Sequence, residues 1–452
     1  MWPMLSKERA YAIIDLVLEE AKGYETAVIV QGGNEALTRF ANSEIHQNVQ
    51  ASSMDVTIAV TRGHKRSAVT TGLCTPEGLR RATGEALANL EFLPEGEKQP
   101  PLVGTPPEIE TVSLDAELER EFTAENRARL VARTLATLEE GYKAFGTLAY
   151  NVNLLAVGNS RGIRRLAIQN SVNYTALVAS AGGGTGYAEA RSHRAGDLDL
   201  AGAFARAYEK ARLNRDPAEL EPGPYTVILE PLAVGNILAF LSLMGFSGKS
   251  VQDRAGFLTG KMGERVFSEK ISITDDHTDP NTFTLPFDFE GSPRRKVTII
   301  DKGVARELTY DLNTALKDGT ETTGHALGIS PMSGMTPPVP LHLVMAGGDQ
   351  SLEEIIAGTG DGLLVTRFNY MNPVNPRAAQ LTALTRDGLF RIRDGKIAGA
   401  VKNMRFTESM LHALNNVEAV SRERYRTGFF NFGCYYVPAL KINDFHFTGK
   451  SG

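Results

Sequence analysis

Residues 225–246, YTVILEPLAVGNILAFLSLMGF, form the most apolar part of the chain and lie at its centre. A run this apolar has to be buried, so the rest of the molecule must build a core around it. Its first five residues are rich in aromatic and β-branched types, which predicts a buried strand at 225–229. Pro231 then breaks the strand and opens a helix in which Leu232, Ala233, Asn236, Ile237, Phe240 and Leu241 recur at i, i+3, i+4 spacing. A strand feeding a helix N-terminus is a common place to present chemistry, because the first turn has free N–H groups and a positive dipole end. The one titratable residue at this joint is Glu230, and no other titrating residue flanks it in sequence.

The chain before this run reads as one pattern used twice. A helix over 6–21 places Ala10, Ile13, Ile14, Val17 and Ala21 on one face. Strands are expected at 26–30, 37–40, 54–60 and 66–70, the last two joined by the turn Arg62-Gly63-His64-Lys65. Thr75-Pro76-Glu77 opens a helix to about 90, with a threonine cap and proline in the first turn. A proline-rich linker at 94–107 follows. The order then recurs: a helix at 124–140, strands at 148–157, 163–168 and 174–179, and a helix at 198–213. The turn Asn42-Ser43 has its counterpart in Asn159-Ser160.

After residue 222 short strands dominate, at 296–301, 341–345, 362–368, 381–386, 388–393, 396–402 and 435–447. Asp301-Lys302-Gly303, Arg386-Asp387-Gly388 and Arg393-Asp394-Gly395 sit between them at hairpin spacing. The expected fold class is α+β: duplicated N-terminal helix–sheet–helix units (1–110 and 111–222), then a mostly antiparallel, barrel-like domain (223–452).

Most short motifs fail on spacing or context. Gly158-Asn159-Ser160-Arg161-Gly162 matches G-x-S-x-G, but that chemistry needs a helix after the serine. The residues that follow alternate like a strand, so a hairpin turn is expected. Gly245-Phe246-Ser247-Gly248-Lys249-Ser250 is two residues short of a phosphate loop. The glycine clusters at 182–186 and 358–362 lack dinucleotide spacing. No H-E-x-x-H or C-x-x-C occurs. Asp275, Asp276, His277 and Asp279 are the one close set of possible metal ligands, but with Pro280 and Asn281 beside them a solvated polar turn explains them better. Cys434 has no basic neighbour in sequence to activate it and reads as a packed thiol.

Six residues remain as candidates for holding a ligand. Asp288 and Glu290 share one side of an extended segment, as i and i+2 do, and paired carboxylates can do acid–base work or orient a loop. His325 is either a base or ligand or a hydrogen-bonded structural histidine. Asn372, Asn375 and Arg377 lie in a rigid double X-Pro stretch that suits a positioning wall. The net charge of −5, from 48 basic against 53 acidic residues, gives no electrostatic case for nucleic acid or anionic membrane. Two cysteines and no apolar signal core at the N-terminus lead to the expectation of a cytoplasmic protein.

Several segments, in this order, resemble the TldD/PmbA (TldE) peptidase family: residues 39–48 (RFANSEIHQN), 256–266 (GFLTGKMGERV) with Asp275-Asp276, 287–291 (FDFEG), 301–304 (DKGV), 323–325 (TGH) and 438–442 (PALKI). The resemblance covers nearly the whole chain. It implies a two-part molecule that pairs with another chain around a peptide-holding cavity. In the TldD branch a helix after the central strand carries H-E-x-x-x-H and holds zinc with a later cysteine. Here that address reads Glu230-Pro231-Leu232-Ala233-Val234-Gly235, without either histidine or the motif's glutamate, and Cys434 sits too close to the 438–442 strand for the ligand role. The departure is that of the PmbA/TldE branch. What it implies is a non-catalytic subunit, with no metal or other cofactor of its own, that binds unfolded or small peptides while a TldD-like zinc subunit cuts. Two other readings stay open: a self-sufficient hydrolase using Ser160 or the Asp275, Asp276 and His277 group, and a homodimeric peptide-binding protein without catalysis.

Overall fold

The computed structural model describes residues 6–330, 334–335, 337–428 and 433–450. The N-terminal half begins with α1 (Lys7–Glu20), the hairpin β1 (Glu25–Ala41) and β2 (Glu44–Arg62), then β3 (Lys65–Thr71) and α2 (Pro76–Phe92). After β4 (Glu108–Ser113) and α3 (Ala116–Glu121), the same order returns. It runs through α4 (Ala124–Leu135), β5 (Tyr142–Asn159), β6 (Arg164–Ser180), β7 (Thr185–Ser192) and α5 (Leu200–Leu213). Ser6, Thr75, Thr123 and Asp199 each cap a helix by accepting a backbone N–H, which fixes where the helices start.

The two units are halves of one seven-stranded sheet. Its order is β3-β2-β1-β5-β6, with β4 and β7 both pairing with β6. The central pair β1 and β5 is antiparallel, from Ala27 opposite Asn159 to Phe40 opposite Gly146. Alternation assigns the faces. Val28, Val30, Leu154 and Ala156 point to the helices, where Ile14, Val17, Leu79 and Phe204 complete a core. Ile29, Leu155, Val157 and Ala167 point the other way and are covered by Leu285, Phe287, Phe289 and Leu341 of the C-terminal half.

The C-terminal half opens with β8 (Gly223–Leu229), α6 (Pro231–Gly245) and α7 (Gly248–Gln252). Short elements follow: β9 (Ile273–Asp275), β10 (Val297–Asp301), β11 (Val304–Ala305), α8 (Leu312–Asp318), β12 (Ile329–Ser330), β13 (Gly334–Met335), β14 (Leu343–Met345) and α9 (Leu352–Ala357). Then come β15 (Asp361–Asn375), β16 (Gln380–Arg393), β17 (Lys396–Ala400), β18 (Met404–Ser409), α10 (Met410–Asn415), β19 (Val417–Thr427) and β20 (Tyr435–Lys450). Strands β8, β15, β16, β18 and β20 form a ring that closes because β20 pairs with both β18 and β8. The barrel-like part is this ring, and the sheet runs on from β20 through β14, β9, β10 and β11. Helix α6 joins the ring's core, with Ile237, Leu238 and Leu241 beside Val365, Leu440 and Ile442.

Several sequence expectations shift. The strands expected at 26–30 and 37–40 are one strand, since β2 and β5 pair with β1 straight through Gly32 and Gly33. The strands at 163–168 and 174–179 are likewise one, β6. The helix expected to reach 140 ends at Leu135, where the Thr134 and Thr137 hydroxyls turn back onto backbone carbonyls. Asp387-Gly388 is not a hairpin turn but an irregularity inside β16, with both residues at positive φ. Arg393-Asp394-Gly395 and Asp301-Lys302-Gly303 are turns as expected.

Candidate functional site

Strand β8 is held on both sides, parallel to β15 and antiparallel to β20, so its C-terminal end is fixed within the ring. Glu230 follows in extended conformation, and its N–H donates to Val365 O at 3.0 Å. Pro231 then starts α6 at the position where a missing N–H costs nothing. The Glu230 carboxylate does not cap the helix. It pairs instead with Lys210 Nζ on α5 at 2.5 Å, both side chains mostly buried. Glu230 therefore has a titratable partner that its sequence neighbours do not disclose, and the pair ties the N-terminal half to the joint.

Around this joint lies a groove of about 300 Å³ that opens to solvent. Leu232, Leu352, Ile356, Leu364, Phe390 and Ile397 give it an apolar lining, and Glu189, Arg206, Glu209, Lys210, Glu353 and Arg426 supply charge. The lining comes from β7 and α5 on one side and from α6, α9, β15, β16, β17 and β19 on the other. Next to it, Arg367 stacks 4.0 Å from the Tyr187 ring centroid and donates from Nε to Asp387 Oδ2 at 2.7 Å. Thr185 Oγ1 donates to the other Asp387 oxygen at 2.8 Å, which explains why the backbone irregularity sits there. Burial raises the Glu189 carboxyl, against the pull of Arg191 and a hydrogen bond from Tyr187.

The family resemblance implies zinc at this joint in the TldD branch, so the donor set matters. The first two turns of α6 present Pro231, Leu232, Ala233, Val234, Gly235 and Asn236, with no imidazole or thiolate. Glu230 is engaged by Lys210. Cys434 is fully buried, and desolvation pushes its thiol up to about 11. These residues do not fit a zinc ion.

Asp288, Glu290 and His325 lie elsewhere, in the seam between the two halves. Asp288 Oδ1 accepts the N–H groups of Glu290 and Ser292, and Oδ2 accepts that of Ala326 at 2.9 Å. Glu290 Oε2 accepts the Leu312 N–H at the start of α8. It borders a cavity of about 30 Å³ with Arg66, Asp311, Leu102 and Ile29, room for about one water. Burial, then Asp288 and Asp311, push its carboxyl up to about 8. His325 Nε2–H donates to Asp275 Oδ1 at 3.0 Å, with both side chains fully buried. The His342 N–H donates to Asp275 Oδ2 at 2.8 Å, and Arg294 Nη1 lies 3.8 Å from Oδ1. Burial opposes an ionised Asp275, but the contacts with His325 and His342 overcome it and hold the carboxyl well below its usual range. Burial and Arg294 push the His325 imidazole down from its ordinary value, against the pull of Asp275.

Asn372, Asn375 and Arg377 sit at the β15–β16 end, a third location. Asn375 Oδ1 accepts the N–H groups of Arg377 and Ala378, and Asn372 Nδ2 donates to Tyr370 O. Ser160 Oγ accepts the Thr26 N–H at 3.0 Å in the turn between β5 and β6. In the 275–279 loop, Asp276 Oδ1 accepts from Thr278 and Asp279 Oδ1 from Asn281, so their carboxylates close local turns.

Residues 222–449 match the PmbA/TldA metallopeptidase C-terminal domain. The chain belongs to the PmbA/TldA metallopeptidase family. Metalloprotease PmbA of Escherichia coli O157:H7 is 24% identical over 466 residues, covering 96% of this chain and 95% of that protein. An uncharacterized protein of Methanocaldococcus jannaschii is 34% identical over 101 residues, 22% of this chain. That match spans only 24% of the relative's length, and the match to a metalloprotease of Methanothermobacter thermautotrophicus spans 37%. In fold, the chain superposes on the crystal structure of TldE from Thermococcus kodakarensis with a TM-score of 0.86. That match is 21% identical and covers 97% of this chain and 100% of the other. Among the described residues no helix is long and apolar enough to cross a membrane.

Proposed function

We propose that this chain is the PmbA/TldE-like, non-catalytic subunit of a cytoplasmic TldD/TldE-type peptidase, and that it binds unfolded or small peptides in the groove at the β8–α6 joint. The zinc belongs to a TldD-like partner subunit, and the substrates are peptides destined for degradation or maturation. The observation that carries this reading is an apolar, charge-rimmed groove at the family's catalytic address whose lining holds no imidazole or thiolate and whose Glu230 is engaged by Lys210. A groove of this size and lining suits side chains of a short peptide. Strand β17 borders it and pairs with β16 on one side; on its other edge the Ala218 N–H takes Ala400 O, which leaves residues 396–399 for an extended peptide to add its backbone.

Asp288, Glu290 and His325 then act on the ligand only by fixing the two halves that form the groove. Asn372, Asn375 and Arg377 belong to a surface that meets the partner or a second copy. The test is peptide cleavage by the purified chain alone, by a TldD-like subunit alone and by the two together. Cleavage that requires both, and is lost to chelator, supports the reading. Chelator-sensitive cleavage by this chain alone contradicts it.

A further inference from the structure

Four side chains converge at the opposite end of β8 from the groove. Glu408 is the penultimate residue of β18, His412 lies on α10, and Asp444 and His446 lie on β20, where His446 pairs with Pro224. Six residues of strand separate Pro224 from Glu230, roughly 20 Å. Glu408 Oε2 lies 2.7 Å from His446 Nδ1, and Glu408 Oε1 lies 3.5 Å from His412 Nδ1. The two Nε2 atoms face Asp444 instead, at 3.3 Å for His412 and 3.6 Å for His446. The imidazole centroids are 5.4 Å apart.

The contacts within the cluster leave one atom unanswered. His446 Nδ1 has Glu408 Oε2 at 2.7 Å and His412 Nε2 has the Asn416 side-chain nitrogen at 3.1 Å, whereas His412 Nδ1 is buried and has no hydrogen-bond partner. One ligand atom each from Glu408, His412 and His446 lies within 4.8 Å of the other two. Both Nδ1 lone pairs are free to bind a metal beside Glu408 when both hydrogens sit on Nε2, facing Asp444, and the Asn416 amide turns its oxygen toward His412 Nε2. A carboxylate behind a ligating histidine is the usual way such rings are oriented. Asp444 reaches its place through an irregularity in the β20–β8 pairing, at a φ of 56°.

We propose that Glu408, His412 and His446 bind one divalent transition-metal ion, zinc being the natural fit for two imidazoles and a carboxylate, with Asp444 positioning both rings. The ion ties α10 and β18 to β20, the strand that closes the ring, and its role is structural. The site is distinct both from the joint and from the 275–279 loop. The spacing Glu408-x-x-x-His412 is visible in sequence, but nothing there brings His446 to it.

The test is titration of the metal-free full chain with zinc, followed by dialysis and metal analysis, and with cobalt(II), whose visible absorption reports nitrogen coordination. The expected result is one bound zinc per chain and a rise in melting temperature of about 2–3 °C at saturating zinc. His412→Asn and His446→Gln should each abolish stoichiometric binding while leaving the far-UV circular dichroism unchanged. Asp444→Asn should weaken binding by about tenfold or more. Absence of stoichiometric binding overturns the proposal, as does equal binding by parent and His412→Asn. Stabilisation by acid alone, with no response to zinc or cobalt, also overturns it and assigns the cluster to doubly protonated histidines.

Discussion

Two places in this molecule concentrate buried charge, and they are built to opposite ends. In the seam, Asp275, Asp288 and His325 spend their hydrogen-bonding capacity on backbone N–H groups and on one another, and the adjoining space holds about one water. At the β8–α6 joint, Glu230 and Lys210 satisfy each other at the edge of an open groove with a largely apolar lining. Carboxylate density is therefore a poor guide to where this fold keeps open space, and the proposed peptide site lies where apolar surface meets fixed charge.

Breaking the seam should have the largest effect. Asp275→Ala leaves Arg294 buried beside a missing countercharge and His325 without its acceptor, and should cost about 3–5 kcal/mol in chemical denaturation. Next comes the pH dependence of Glu290. Its folded pKa is raised, so its protonated form is favoured by folding. That contribution is complete below the ordinary glutamate pKa and is lost as pH rises through about 8. Melting curves from pH 6 to 10 should show a loss on the order of 2 kcal/mol, and Glu290→Gln, which can still accept from Leu312, should flatten it.

In the groove the expectation reverses. Ile356→Asp, at a half-buried position beside Leu364 and Phe390, should cost about 1–2 kcal/mol, less than the seam, but weaken peptide binding by about tenfold, measured by fluorescence anisotropy. The smallest effect is the coupling of Lys210 with Glu230, about 1 kcal/mol in a double-mutant cycle on unfolding. If that coupling exceeds the cost of Asp275→Ala, the contrast between the two places is wrong.

Local patterning made the duplicated units and the apolar α6 readable, because capping residues, turn pairs and periodic burial all act within a few residues. What it missed depends on distant partners. Glu108–Ser113 is a strand only because β6 offers it a parallel edge. Val417–Thr427, full of charged residues, is a strand only because β20 pairs with it. Asp387-Gly388 reads as a turn until Thr185 and Arg367 are seen holding the carboxylate. The groove was hidden for the same reason: Lys210, Ile356, Phe390 and Tyr425 meet only after the ring closes against the first sheet. The lack of histidines at Glu230–Gly235 was legible, since it is written in consecutive residues.

The most direct measurement is peptide cleavage by this chain with and without a TldD-like subunit, each with and without chelator. Metal content cannot replace it, because the Glu408 cluster is expected to hold an ion that takes no part in cleavage. The account predicts no cleavage by the chain alone, and cleavage by the pair that chelator abolishes and Ile356→Asp reduces. Chelator-sensitive cleavage by the chain alone would contradict it.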